Sequence, residues 1–512
     1  MLTWIASLAD QSLLHREEHA EGESRLHMLE TIREFAEEQL RESTEEETIQ
    51  KRHRDWFLRL AEEASRLLLA GSPDQATWLG RLELEHANLR AALDWSRESG
   101  DVTTELQLAT ALSGFWLRRG HLDEGRAWLG AALGRDPSRR TVDRAAALGW
   151  AGFLALHQGD YAAARAFHEE ALAIRRELND TVGIGASLNS LGNVAHRHGD
   201  CTMARQLFEE ALRIARTGGD RLSMAGPLNN LANVALDEGN LAAARAFHEE
   251  SLSIKRELRN KIGVANSLNG LAGVVAAEGD LLAARALYEE SLKMRRDLGD
   301  RQGIAYSLNN LGYLVLQQGD FALTQALLDE SVARNHEMGD GWGIAFALDG
   351  FAGLAAVLGQ SDRAARLFGA TDALLESLDA PLPGFRRPAH DRYVTMTQNA
   401  LGKRAFKAAW ESGRGMLPEH AIEYALAAPK ALAGSRHSRV HGRTGPLTRR
   451  EMEVASLVAR GLSNREIATA LAVTRKTAAA HVEHILNKLG FHSRAQIASW
   501  AVSQNIPPAP SQ

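Results

Sequence analysis

Residues 187–212 read SLNSLGNVAHRHGDCTMARQLFEEAL, and the same frame returns every forty positions along the middle of the chain. Gly159, Gly199, Gly239, Gly279, Gly319 and Gly359 stand at identical intervals, mostly followed by Asp or Asn, and each precedes an Ala-rich helix such as residues 204–212. Ser187 to Gly192 belongs to a second helix of the same unit. Small residues recur in two columns where such helices cross, Gly192, Ala232, Ala272, Gly312 and Ala352, then Ala164, Ala204, Ala244, Ala284 and Ala364. Self-similarity at this period means a solenoid of helix pairs, so the predicted fold class is all-α.

The pattern resembles the tetratricopeptide repeat, lengthened by about six residues over the usual ~34. Residues 101–380 have room for about seven units, the first irregular around Gly120 to Leu133. Asn189, Asn229, Asn269 and Asn309 recur three positions before the small crossing residue, Asp349 takes the fifth place, and Asn193 and Asn233 follow one helical turn later. In tetratricopeptide proteins these positions face a concave groove, so the resemblance implies that the six Asn hold the backbone of a protein or peptide partner. Asn suits that task because one amide offers both donor and acceptor without charge. The alternative is a tolerated polar face copied by repeat duplication.

The C-terminal stretch carries three helix-start signatures, Thr448-x-x-Glu451, Ser463-x-x-Glu466 and Ser493-x-x-Gln496. In each, a hydroxyl accepts an amide of the first turn while the acidic or amide side chain reaches back to the cap. Gly461 and Gly490 fall where helices should stop. The frame is a helix-turn-helix in which Ser463 to Leu471 is the positioning helix and Thr474 to Leu489 the recognition helix. Ala478, Val482, Ile485 and Leu489 form an inner stripe at helical spacing, leaving Lys476, Ala479, Ala480, Glu483 and Asn487 outward.

The run Leu447-Thr448-x-Arg450-Glu451, Gly461-Leu462-Ser463-Asn464-Arg465-Glu466-Ile467-Ala468, Val473-Thr474, Thr477, His481-Val482 and Ile485-Leu486-x-Lys488-Leu489-Gly490 closely resembles the LuxR-type DNA-binding domain. That resemblance implies double-stranded DNA as the partner of residues 444–505. Its expected DNA contacts are Ser463, Asn464, Arg465, Thr474, Arg475, Lys476, Thr477, Ala479, Ala480, His481, Glu483 and Lys488, with Asn464, Arg465, Arg475 and Lys476 at phosphates, His481 near backbone or phosphate, and Lys476, Ala479, Ala480 and Glu483 at base edges. Ala478-Ala479 stand where the family usually has Val-Lys, and Glu483 where it often has a second basic residue. The last helix, with Ile497, Trp500 and Ala501 on one side, commonly pairs two such modules, which implies a homodimer on DNA.

Charge agrees with this reading. From Ser435 onward there are 11 Lys+Arg and 4 Asp+Glu, a net of +7, which leaves −13 on the rest of a chain that totals −6. A cationic module on an acidic body suits phosphate attraction at one end only. No apolar run approaches the ~20 residues of a membrane span. Met1 to Asp10 has no basic region before its apolar stretch, so a secretory signal is not expected. A single Cys excludes an internal disulfide, and Cys201 occupies the column of Tyr161, Leu241, Leu281 and Phe321 as a core filler in a reducing cytoplasm, the expected location, with nucleoid association when DNA is bound.

Residues 1–47 read as a strand from Leu8 to Glu18, a turn near Glu21-Gly22, a second strand and a long helix. Leu26-His27-Met28-Leu29-Glu30-Thr31-Ile32-Arg33-Glu34-Phe35-Ala36 resembles the tail of the winged-helix piece that follows a signalling ATPase domain in large multidomain regulators, which continue with helical repeats and a LuxR-type domain. Residues 48–100 are a connector with helices about Trp56 to Leu69 and Leu82 to Trp95. Residues 381–427 are capping helices and 428–443 a basic linker. No G-x-x-x-x-G-K-[ST] occurs, so no nucleotide and no cofactor is expected for this chain. Either the protein works without nucleotide, or Met1 lies inside a longer reading frame.

No catalytic constellation stands out among the 19 His residues. His168 and His248 share a packing column with Phe208, Tyr288, Leu328 and Phe368, and the Glu pairs beginning at 169, 209, 249 and 289 follow the repeat as a solvated face. No metal site and no enzyme activity are expected. Two functions compete: a LuxR-family transcription regulator whose repeats sense a protein or peptide, and an interaction scaffold with weak or non-specific DNA binding.

Overall fold

The computed structural model describes residues 2–11, 13–18, 24–70, 74–427, 449–459, 462–471, 473–489 and 497. It forms two compact units that divide after Ala428. The first opens with α1 (Leu2–Asp10), an antiparallel hairpin of β1 (Leu14–Glu18) and β2 (Ser24–Met28) with Leu14 opposite Met28, and α2 (Glu30–Glu42). The strand expected from Leu8 is helical as far as Asp10, because Ile5, Leu8 and Ala9 repeat at helical spacing rather than alternating.

The connector contains α3 (Glu46–Ala70), α4 (Gln75–Leu84) and α5 (His86–Glu98). The helix expected across Leu82 to Trp95 is broken at Glu85, whose backbone leaves the helical region. The Glu85 carboxylate accepts from Asn88 Nδ2 at 2.6 Å, so a local side-chain bond competes with helix continuation.

Seven helix pairs follow: α6 (Val102–Arg119) with α7 (Leu122–Arg135), α8 (Val142–His157) with α9 (Tyr161–Glu177), α10 (Thr181–Arg197) with α11 (Cys201–Thr217), α12 (Arg221–Asp237) with α13 (Leu241–Glu257), α14 (Lys261–Ala277) with α15 (Leu281–Asp297), α16 (Arg301–Gln318) with α17 (Phe321–Glu337), and α18 (Gly341–Val357) with α19 (Ser361–Ser377). The period of forty is two half-periods of twenty. Left-handed residues end successive helices at Gly159, Asn179, Gly199, Gly219, Gly239, Arg259, Gly279, Gly299, Gly319, Gly339, Gly359 and Asp379. The residue after most of them is an Asp or Asn whose side chain accepts the third amide of the next helix, from Asp160–Ala163 through Asp340–Gly343.

Both small-residue columns are buried at the crossings. A Cβ on Gly192 would lie 2.5 Å from the Phe208 ring, so this close approach needs glycine. The array coils far enough for its ends to meet. Ala155, Tyr161, Ala164 and Val194 share a core with Trp342, Ala345, Phe346 and Leu375, and the Arg197 guanidinium stacks on Trp342 at 3.6 Å. Residues 378–386 run along this closure. Asp379 meets His198 at 2.8 Å, the Phe385 amide donates to Asp237 at 3.1 Å, and Arg386 is fully buried against Tyr313 and Phe346. The unit ends with α20 (Arg387–Leu401), α21 (Lys403–Arg414) and α22 (Pro418–Leu426), which pack on α18 and α19.

The second unit is described through α23 (Arg449–Ala459), α24 (Asn464–Ala470), α25 (Arg475–Leu489) and Ile497. Its core joins Val454, Ala455, Val458, Ile467, Ala468, Ala478, Val482, Ile485 and Ile497. Among the described residues no helix is long and apolar enough to cross a membrane.

Candidate DNA-binding interface and repeat interior

In the C-terminal unit the Ser463 box is complete. Glu466 N donates to Ser463 Oγ at 3.4 Å and Ser463 N donates to Glu466 Oε2 at 2.7 Å, which pins the start of α24. Thr474 Oγ1 accepts from Thr477 N at 3.1 Å and starts α25 in the same way. The two helices are thereby fixed around the Val473 turn, which packs on the core. Ala478, Val482 and Ile485 face inward as their spacing requires. Ser463, Thr474, Thr477 and Ala480 are exposed, and Asn464, Ala479 and His481 are half-buried on the outer face. The side chains of Arg465, Arg475, Lys476, Glu483, Asn487 and Leu489 lie outside the described residues, as do Thr448, Gly461, Gly490, Ser493, Gln496, Trp500 and Ala501.

Two expectations change here. Lys488, expected among the DNA contacts, is engaged inside the domain: its Nζ donates to the buried Glu451 carboxylate at 2.7 Å, fastening the end of α25 to α23. Ile497 is not on a free dimer face, because it is fully buried in the domain's own core.

The repeat interior also departs from the expected groove. Asn189, Asn193, Asn229 and Asn233 are half-buried, whereas Asn269 and Asn309 are 5% and 1% exposed. The column links each repeat to the next. Asn189 Oδ1 accepts from Asn230 at 3.0 Å, Asn229 Oδ1 from Ser267 at 3.4 Å, and Asn269 Oδ1 from Ser307 at 3.3 Å, while Asn309 Nδ2 donates to the Gly343 carbonyl at 3.0 Å. Asp349, the fifth member, pairs with His390 of the capping helices at 2.6 Å, and that carboxylate holds the His390 pKa up against its burial. Asn269 and Asn309 are buried and bonded to the next repeat, so they are inter-repeat ties rather than groove residues.

His168 and His248 are buried packing residues, and burial lowers their pKa to about 4 and about 3. Cys201 is half-buried beside the Phe208 core, and burial raises its pKa. One cluster was invisible in the sequence: Glu83, His86 and His121 converge between α4, α5 and α7. Arg119 lies 3.4 Å from Glu83, and His86 shares Glu124 with Arg90, so arginines already balance these carboxylates.

Residues 445–501 match the family described as bacterial regulatory proteins, luxR family, and residues 143–217 and 223–297 match the tetratricopeptide repeat. An HTH-type transcriptional regulator of Mycobacterium bovis is 38% identical over 133 residues, covering 26% of this chain and 14% of the relative. Response regulator protein VraR of Staphylococcus aureus is 47% identical over 60 residues, 12% of this chain and 29% of that one. The chain thus spans about one seventh and under a third of these relatives' lengths. Among solved structures, a Rap protein complexed with competence and sporulation factor has a TM-score of 0.50 at 14% identity, covering 72% of this chain and 99% of that one. The chain therefore carries a helix-turn-helix domain of the bacterial LuxR family behind an all-α tetratricopeptide-repeat array.

Proposed function

We propose that this protein is a DNA-binding transcription regulator. The observation that carries the reading is the fixed pair of capped helices, α24 and α25, whose outer face presents Ser463, Thr474, Thr477 and Ala480 to solvent. A recognition helix held this way enters the major groove with its first turns against base edges, while helix N-termini and hydroxyls take phosphates. Arg465, Arg475 and Lys476 supply the cationic contacts, and Ala479, Ala480 and Glu483 meet bases. Two modules on a two-fold site raise affinity through effective concentration. The work is that of a cytoplasmic protein, nucleoid-associated when bound, and this chain needs no nucleotide for it.

The array senses a protein or peptide partner. Support comes from its likeness in fold to the Rap protein complexed with competence and sporulation factor, and from the half-buried Asn189, Asn193, Asn229 and Asn233. A mobility shift of the full chain on DNA flanking its gene, against unrelated duplex, tests the DNA reading. Specific retardation supports it. Equal binding to both duplexes favours instead a scaffold with non-specific DNA affinity, the reading that Ala479 and Ala480 would explain. Arg475→Ala with Lys476→Ala weakens binding to every sequence and reduces the salt slope by about two or less.

A further inference from the structure

The last turns of α9, α11, α13, α15 and α17 carry one inward position at forty-residue spacing, occupied by Arg175, Ala215, Lys255, Arg295 and Asn335. Five residues on stands the cap of the next helix: Asp180, Asp220, Asn260, Asp300 and Asp340. Where the inward residue is Arg295, the cap is its counter-ion, with Nη1 3.0 Å from the Asp300 carboxylate. Arg175 likewise has the negative charge of Asp180 beside it. Lys255 breaks the rule. Its cap is the neutral Asn260, spent on the Gly263 amide at 2.8 Å, and among the described residues its Nζ donates to Ser267 Oγ at 2.9 Å and Asn229 Oδ1 at 3.3 Å. The array thus holds a basic amine, 7% exposed, among uncharged oxygens. An unbalanced buried charge is costly, and a resident carboxylate at position 260 would have removed the cost.

A cavity of about 320 Å³ lies at this point. Its wall includes Lys255 and, from α6 across the coil, Arg118, whose guanidinium donates to the Gly114 and Leu68 carbonyls at 3.0 and 3.1 Å. Asn230 and Asn266 add amides, the positive end of α14 opens onto the cavity, and aliphatic side chains close the rest. Among the described residues no Asp or Glu lines it. The charge of Asp300 reaches Arg118, but that carboxylate is already engaged by Arg295.

We propose that this cavity binds the carboxylate of a small organic acid or chain end, held between Lys255 and Arg118. A basic amine and a guanidinium hydrogen-bonded to uncharged oxygens, amide donors and an apolar wall suit a carboxylate carried on a short hydrocarbon body. The volume sits at the lower edge of the ~300–1,000 Å³ typical of small-ligand sites, which limits the occupant to a small acid or a terminal residue. Burial, and the neighbouring Arg295 charge, bring the Lys255 pKa down to about 7, so an arriving carboxylate draws a proton onto the amine. The site stands apart from DNA binding, and its failure leaves that reading untouched.

Calorimetric titration of the full chain at pH 7.5 with succinate, N-acetyl-Leu-Leu, its C-terminal amide and inorganic phosphate, each in HEPES and in Tris, tests the assignment. The expected result is saturable binding of succinate or the peptide acid with proton uptake, and binding of the amide weaker by about tenfold or more. Tighter succinate identifies a free acid as the natural occupant, and tighter peptide a chain end. Lys255→Met keeps the packing volume and loses binding. Asn260→Asp caps α14 equally well and supplies the internal counter-ion, so it raises the melting temperature and abolishes binding. Absence of carboxylate binding, binding of phosphate alone, or wild-type affinity in both variants overturns the proposal.

Discussion

Lys488 Nζ lies 2.7 Å from Oε2 of Glu451, a carboxylate 4% exposed, so the end of the recognition helix is fastened to the first helix of its domain. The pair fixes the angle at which α25 leaves the core. Lys488→Met is expected to destabilise the domain by ~1–3 kcal/mol, since a buried charge loses a charged partner. It leaves the salt slope of DNA binding unchanged once the domain is folded. Thermal melts and salt titrations separate the two effects, and a fall in slope near one unit would return Lys488 to the phosphate contacts.

Arg259 ends α13 with φ of 53° where most equivalent positions hold Gly. A non-glycine residue in the left-handed region costs about 1 kcal/mol, offset in part by the entropy of an unfolded glycine. Arg259→Gly is therefore expected to raise stability by ~0.5 kcal/mol in denaturant melts, and a loss of stability would mean that the arginine makes a compensating contact.

Burial lowers the pKa of His157, His168 and His248 to about 3, about 4 and about 3, so each is neutral in the folded array. Unfolded, they titrate near ~6.5. The unfolded chain thus binds more protons between those values, and stability falls as pH drops from about 6.5 toward 4. His168→Phe, which copies the Phe208 and Phe368 of the same column, is expected to flatten this acid loss by a few kcal/mol at most, measured by denaturant melts at pH 7 and pH 4.5. Parallel pH profiles for variant and parent would remove His168 from the acid response.

Asn269 and Asn309 tie neighbouring repeats from buried positions. Changing both to Ala should lower stability by ~0.5–1.5 kcal/mol per lost bond. Asn189→Ala with Asn193→Ala, at half-buried positions, should cost less and act on partner capture. Equal melting temperatures for the two pairs would contradict the division of the column.

Much of the architecture was legible because left-handed helix ends demand particular residues. Gly159 through Gly359 therefore announced the period. The half-period stayed hidden because Asn179, Arg259 and Asp379 adopt the same backbone without being glycine. The inner stripe of α25 was legible from spacing alone, as was the Ser463 box. The fate of the Asn column was not, because it turns on partners a repeat away, the Gly343 carbonyl for the buried Asn309 and Asn230 for the half-buried Asn189, which the spacing of the column does not reveal. Lys488 misled for a related reason: the family resemblance that placed it among the DNA contacts said nothing of Glu451, 37 residues away in sequence.

Sequence-specific reading of DNA by the C-terminal domain is tested most directly by selecting duplexes from a random pool with the full chain and sequencing those retained. The expected result is enrichment of one motif with two-fold-related halves, lost when Arg475 and Lys476 are both replaced by Ala. Retention of duplexes with no motif enriched over the input pool would contradict it.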